Sequence, residues 1–519
     1  MTRLAVVRPA FATAKASISP LLPVRAPATV SPLGAWMRRL FAPTALALAL
    51  GIGALAALWP HRTLAACLIV GLAALIWLRP ALAAYILIVV TPLTAGIDRG
   101  LAIPLLRPSE AVAVFVGGTL MARGVFRWRT GRLPRLHLSP VEVSLVLMAV
   151  CSSVVPIIWM VARQHPIEHD DVLYAIVMWK FLFLYAIVRL SVTRDDQIRR
   201  CLWLSVGAAS IVAVIAILQS LQLFGVPGLL AHYYSPYGHT GALEHARGSS
   251  TLALPAATGD LLIYNLAIVT GLWMQRRQFT GRLAILALLF VAGALASGEF
   301  STAIGLAIAI VCIVFVTSSP DLLAFFVVAG AAALAALRSV IERRLSGFQS
   351  ASGLPASWIG RLNNLETYFW PPLFSDWNFL FGVRPAARVV VPYQATGYVW
   401  IESGYTWLLW GGGIPLVGSF VYFVYTTVRM SWRVARQRGS AASIAGMSAF
   451  VAVVVTTVLM IFDPHLTYRG SGDELFFLLA LTAVGSSRLS PTTKDSQAGV
   501  AAVTGDNPTA NERPARESD

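Results

Sequence analysis

The sequence predicts an all-α polytopic membrane protein, with about 12–14 transmembrane helices and one large loop late in the chain. Three observations predict it. Hydrophobic residues make up 57% of the chain and charged residues only 12%, where soluble domains carry about 25% charged; mean hydropathy is +0.71. Runs approaching the roughly 20 apolar residues that cross a bilayer recur along the whole chain. Against that background one stretch, Arg343 to Gly413, is polar and rich in Trp, Tyr, Arg and Glu. A polytopic chain of this kind reads as one membrane domain with loops rather than as a string of soluble domains.

From the N-terminus, residues 1–40 hold Arg3, Arg8, Lys15, Arg25, Arg38 and Arg39 and no acidic residue. No clear cleavage pattern marks them as a targeting segment, so a disordered, cytoplasmic, basic arm is expected. Hydrophobic runs follow at 41–59, 63–78, 80–97, 109–122, 141–161, 171–190, 201–224, 259–274, 283–297, 300–317, 321–338, 404–427, 441–461 and 473–488. The shortest, such as 109–122 and 283–297, leave room for re-entrant or merged elements. Basic connections at Arg123 to Arg135, Arg189 to Arg200, Gln275 to Arg277 and Arg429 to Arg438 fall on one side, the cytoplasmic side by the positive-inside rule. Segments 162–170, 225–258, 339–403 and 462–472 then share the outer face. The organisation is therefore spans within 41–338 around an outer loop at 225–258, a large outer loop at 339–403, and final spans at 404–488. Residues 489–519 lack apolar anchors and are expected to be a disordered cytoplasmic tail. There is no internal repeat of the kind that marks many transporters.

The net charge of +16 raises nucleic acid as a partner, but three of the 40 basic residues are lysine (Lys15, Lys180, Lys494), the rest arginine. Most sit beside hydrophobic runs, as topology signals do, and no basic domain forms. Nucleic-acid binding is not expected. Cys67, Cys151, Cys201 and Cys312 lie in apolar runs without ligand spacing, which excludes a disulfide framework or zinc site as the organising feature.

The outer segments collect the groups able to do chemistry. In the 225–258 loop, His232, His239, His245 and Glu244 lack the spacing that brings metal ligands together, and read as solvated or aromatic-packed side chains. Arg247 stands where that loop re-enters the membrane, before Gly248, Ser249, Ser250 and Thr251; a guanidinium there suits a bidentate grip on phosphate, or an interfacial anchor. Glu299 reads as the surface end of a tight hairpin. Lys180, inside a span, faces either protein or the interface. In the large loop Arg343, Arg344, Arg361, Arg384 and Arg388 oppose Glu342, Glu366 and Asp376 among Trp358, Tyr368, Trp370, Trp377, Tyr393, Tyr398 and Trp400. Aromatic platforms among charges suit sugars, though interfacial belts share that composition. Glu402, at the outer edge of a span, is the best general-base candidate, since partial burial would raise its pKa. The last outer loop, Asp463 to Arg469, offers a second base, His465, and a further phosphate-binding arginine, Arg469.

These residues resemble the O-antigen ligase and O-antigen polymerase superfamily over roughly 200–485. Ala246 to Thr251, then Pro255 and Gly259, is similar to the family's Arg, small-residue and Pro stretch entering a span. Ala296-Ser297-Gly298-Glu299-Phe300-Ser301 resembles its Ser-rich hairpin, without the Arg usual there. Arg361 to Tyr368, Trp370 and Phe381-Gly382-Val383 resembles the loop segment ending in a Gly-rich turn. Glu402-Ser403-Gly404-Tyr405, then Leu409, Gly412 and Gly413, is similar to the closing motif. Ligases typically carry His where this chain has Glu402, which points to a polymerase-like member.

The resemblance implies a bacterial inner-membrane enzyme with its large loop in the periplasm, no cofactor and no metal. The donor would be a glycan on undecaprenyl pyrophosphate; Arg247, with Arg361, Arg384 or Arg469, would neutralise the leaving pyrophosphate in place of a metal. Glu402, or else His465, would deprotonate or orient the acceptor hydroxyl, with Trp400 and Tyr405 on the substrate. A flippase and a chain-length regulator are the partners implied beside the lipid bilayer. A ligase acting on finished glycan, and a transporter of lipid-linked sugars, are the alternatives.

Overall fold

The computed structural model describes residues 60–100, 106–131, 138–234, 247–275, 281–345, 356–392, 397–437 and 439–487. The basic arm 1–40, the run 41–59, the tail 489–519, and His239, Glu244, His245 and Tyr393 lie outside them. The chain divides into two compact units, 1–72 and 73–519, and the second holds the helical bundle and its outer segments.

The long helices are α1 (Pro60–Leu78), α2 (Ala81–Thr94), α3 (Pro108–Arg129), α4 (Pro140–Ala162), α5 (Val177–Ser191), α6 (Asp195–Ser220) and α7 (Pro255–Gln275). They continue as α8 (Gly281–Ala296), α9 (Phe300–Thr317), α10 (Pro320–Ala336), α11 (Gly404–Ala435), α12 (Ala441–Leu459) and α13 (Ser471–Ser487). Among the described residues nine helices are long and apolar enough to cross a membrane, and three shorter apolar ones join them. The protein is a multi-pass, almost entirely helical membrane protein. The runs at 109–122 and 283–297 are separate helices, the first lengthened to 22 residues by the Pro108 start and the arginines at its end.

Burial sets the centre of the bundle. The α7 window is 89% buried and that of α12 83%, against 17% for α3, so α7 and α12 form the core while α3 faces lipid. The central helices carry polar groups satisfied inside the protein, as a membrane interior demands. Tyr264 of α7 bonds Thr456 of α12 at 2.7 Å, and Asn265 of α7 lies 2.7 Å from Ser205 of α6. At one end Asp195 of α6 accepts the Ala441 and Ala442 N–H groups, occupying donors that a helix start leaves open.

The opposite end gathers described parts of the segments expected on one face, 162–170, 225–258, 339–403 and 462–472: Arg163 donates to the Val383 carbonyl, Arg247 lies by Glu299 and Arg361 by Asp463. Two of them dip inward. Ser250 donates its hydroxyl to the Val212 carbonyl, eight residues inside the end of α6, a depth of about 12 Å. Its N–H goes to the Gln219 side chain, and the Thr251 hydroxyl to Pro92. Ser250 and Ala253 hold left-handed backbone, φ 51° and 58°, strain that those bonds retain.

The large loop folds as short helices and a two-stranded ladder, β1 (Arg388–Val390) against antiparallel β2 (Tyr398–Trp400). It wedges into a break in α11 at Gly413, where φ is 62° and ψ −155°. The Val383 N–H donates to the freed Trp410 carbonyl at 2.7 Å. Gly382, at φ +89°, passes so close that a Cβ there would lie 2.7 Å from the Gly412 nitrogen. The two glycine motifs, remote in sequence, are one contact. Gly382→Ala should therefore cost about 1–3 kcal/mol, read as a lower unfolding midpoint in detergent, whereas Gly360→Ala, with open space around its Cα, should leave it unchanged.

Candidate functional site

The site is built on the loop helix Ala356–Asn364. Trp358 and Arg361, three residues apart, share a face. Trp358 packs against Phe462 at 5.1 Å and Phe300 at 6.5 Å between ring centroids, pinning the helix over the ends of α9 and α12. Arg361 then reaches two carboxylates: Asp463 at 2.6 Å and Glu402 at 3.7 Å. Asn364 donates to the other Glu402 oxygen at 3.4 Å.

One backbone contact sets the spacing of the two acids. The Gly404 N–H donates to the Met460 carbonyl at 2.8 Å, and a Cβ at Gly404 would lie 2.8 Å from that same backbone oxygen. Only glycine allows the start of α11 to lie against the end of α12, which holds Glu402 and Asp463 on either side of Arg361. Tyr405 continues this seam by donating to the Thr457 carbonyl at 2.9 Å.

Arg247 enters from the third side. Its guanidinium lies 3.3 Å from Glu299, and the Gly248 N–H donates to the Ala296 carbonyl at 3.0 Å, tying the loop entry to the hairpin tip. The Glu299 charge acts on both Asp463 and Arg361, so the five groups form one cluster of two guanidiniums and three carboxylates. Burial raises the Glu402 carboxyl above the ordinary value, opposed by Arg361 and reinforced by Asp463. Burial likewise raises Asp463, again against Arg361. For Arg361, burial alone would weaken proton binding, but the Asp463 and Glu402 carboxylates outweigh it and hold the charge. The Arg247 side chain is 45% exposed, the most open cation of the group.

The other candidates lie elsewhere. Arg384 is clamped by Glu168 and by the fully buried Asp171, each at 2.7 Å. Arg388 pairs with Asp170 and covers the rings of Tyr398 and Trp400 at 4.6 and 5.6 Å, so Trp400 sits in a packed aromatic-cation stack. Arg469 pairs with Asp98 at 3.2 Å, beside Arg99, Arg107 and Glu110. His465 is 1% exposed, its Nδ1 2.7 Å from Asp260 of α7, its ring against Tyr468 at 4.8 Å; it braces the loop that carries Asp463. Lys180 pairs with Asp473 of α13 at 2.7 Å. Of the sequence candidates, the structure thus joins Glu402, Arg361 and Arg247. It adds Asp463 beside them, and brings in Glu299, which reads from sequence as a hairpin surface, and Asn364, which carries no signal beyond its place one turn after Arg361.

The chain matches no family model, and comparison with curated proteins and with solved structures gives no match.

The arginines separate by experiment. Arg384→Ala strands the buried Asp171 carboxylate and should cost about 3–5 kcal/mol of stability, the range for breaking a buried pair. Arg247→Ala, removing a half-exposed side chain, should leave the unfolding midpoint within a degree or two of wild type, by the weak contribution of exposed pairs. Thermal unfolding of the purified variants checks both.

Proposed function

We propose that the protein is a glycosyltransferase of the O-antigen polymerase and ligase type. It polymerises undecaprenyl-pyrophosphate-linked oligosaccharide units for exopolysaccharide or O-antigen at the periplasmic face of the bacterial inner membrane. In this reading the chain has 12–14 spans, and segment 339–403 is the periplasmic loop. The carrying observation is Arg361 bridging Glu402 and Asp463 beside the half-exposed Arg247. A partly buried base, a fixed cation and an open cation at the membrane surface match what transfer from a lipid pyrophosphate requires.

In the step itself, the acceptor hydroxyl oxygen bonds the donor's anomeric carbon as the bond from that carbon to the pyrophosphate oxygen breaks. The hydroxyl proton passes to Glu402. The leaving pyrophosphate keeps the electron pair, and Arg247, released from Glu299, neutralises the charge that develops there. Arg361 holds Asp463 and orients Glu402. The pyrophosphate bond supplies the free energy, so the reaction needs no nucleotide sugar. A flippase would deliver the donor and a chain-length regulator would set product length. The Glu402 position favours polymerisation over ligation to a finished acceptor.

A transporter of lipid-linked sugars is the second reading, favoured by one observation: ionisable side chains at Asp260, His465, Asp473, Glu474 and Lys180 lie within or at the ends of the helices, a pattern transporters share.

Two measurements test the proposal. In a deletion strain complemented at matched protein levels, Glu402→Gln, Asp463→Asn or Arg247→Ala should accumulate single repeat units on lipid carrier where wild type makes long polymer. Intact but unattached polymer in the deletion strain would instead identify a ligase, and loss of periplasmic lipid-linked units a transporter. The second is the pH–rate profile of purified enzyme on lipid-linked donor. Glu402 acts deprotonated and burial raises its proton affinity, so activity falls as pH drops through a value above the ordinary glutamate range. Arg361 opposes that rise, so Arg361→Gln should move the acid limb to higher pH; an unmoved limb would remove Glu402 as the base.

A further inference from the structure

Beneath the site, α6, α7 and α13 meet at a polar contact that the transfer chemistry does not use. Ser205 Oγ of α6 lies 2.6 Å from Glu474 Oε1 of α13 and 2.7 Å from Asn265 Oδ1 of α7. The Asn265 amide nitrogen donates in turn to the Leu261 carbonyl at 3.0 Å. Glu474 is 2% exposed, and it is the one glutamate buried to this degree among the described residues. Ser205 stands ten residues into the 26-residue α6, about 15 Å from that helix's start, and Asn265 is the eleventh of the 21 residues of α7. The contact thus lies midway along α6 and α7, and Glu474 reaches it from the first turn of α13.

Counting hydrogens decides its protonation. A serine hydroxyl has one hydrogen to donate, and here it faces two oxygens at hydrogen-bonding distance. If Ser205 donates to an ionised Glu474, Asn265 Oδ1 is left facing oxygen lone pairs. Turning the Asn265 amide over would relieve that contact but set its oxygen against the Leu261 carbonyl. One arrangement pairs every atom: Glu474 O–H donates to Ser205, Ser205 donates to Asn265 Oδ1, and Asn265 N–H donates to Leu261. We propose that Glu474 is a proton-binding site in the interior of the helical bundle, and that this bound proton closes the contact among α6, α7 and α13.

The surroundings agree. The neighbouring carboxylate Asp473 takes Lys180 of α5 at 2.7 Å and the Gly470 N–H at 3.0 Å, which leaves that cation committed. From α6 the other titratable neighbour is the buried Cys201 thiol. From α7 it is Asp260, which lies against His465. An ionised Glu474 here would be a buried charge with no ion pair among the described residues, a costly state, whereas the carboxylic acid is a donor with an acceptor waiting.

The test is infrared spectroscopy of the full-length protein in lipid at neutral pH, comparing wild type with Glu474→Gln, Asp260→Asn and Glu402→Gln. The expected result is a protonated-carboxyl C=O band that survives in the Asp260 and Glu402 variants and is lost in Glu474→Gln. Glu474→Gln should keep the wild-type unfolding midpoint, because an amide N–H replaces the acid O–H toward Ser205. A band unchanged in Glu474→Gln overturns the proposal. Should that variant fail to fold, carboxyl-¹³C-glutamate in the Glu402→Gln protein decides the matter. A band shifted by the label supports the site, and an unshifted or absent band overturns it.

Discussion

The constraint on which this structure rests is that backbone leaving a helix inside a bilayer must find its hydrogen bonds within the protein. The chain leaves helical geometry at depth in the 247–254 dip and at the Gly413 break, and each is met by named partners. Gln219, Val212 and Pro92 receive the donors of Ser250 and Thr251; Val383 supplies the donor that the Trp410 carbonyl lost. Because the loop satisfies α11, and α6 satisfies the dip, the polar cluster is held by the bundle itself. Arg247 and Glu402 take their positions from helices, though both lie in connecting segments.

The cations divide by how much of each is committed. Arg384 and Arg388 fasten the large loop to segment 168–171 and act as fixtures. Arg361 is intermediate, fixed by Asp463 yet within reach of Glu402. Arg247 keeps nearly half of its side chain open, and its pair with Glu299 is of the weak, exposed kind that a more highly charged anion displaces. Catalysis by neutralising a leaving group needs such a gradient from rigid to available.

Much of the architecture was legible in the sequence because membrane spans declare themselves by length and apolarity, and the basic connections declare which loops lie together. The meeting at one end of the described parts of 162–170, 225–258, 339–403 and 462–472 agrees with that alternation. Glu402 and Arg247 were legible as polar groups beside small residues at span edges. Partner choice was not. Arg384 and Arg361 look alike in sequence, both loop arginines near aromatics, and what separates them is that Asp171 lies opposite one and Asp463 opposite the other, 213 and 102 residues away in the chain. His465 reads as an outer-loop base until the fold turns it inward onto Asp260. Glu299 reads as a hairpin surface until Trp358 brings Arg361 over it.

The Asp260–His465 contact carries a consequence for biogenesis. Its partners are 205 residues apart, and α7 forms the centre of the bundle. At ordinary synthesis rates α7 is made about 10–40 s before His465 exists. Through that interval Asp260 of α7 has no His465 to pair with. Exposure of that carboxyl to lipid is costly until the His465 loop is made. The core of this protein is thus completed from its C-terminus, and chains interrupted before α13 present the quality-control apparatus with a membrane helix it has physical reason to reject.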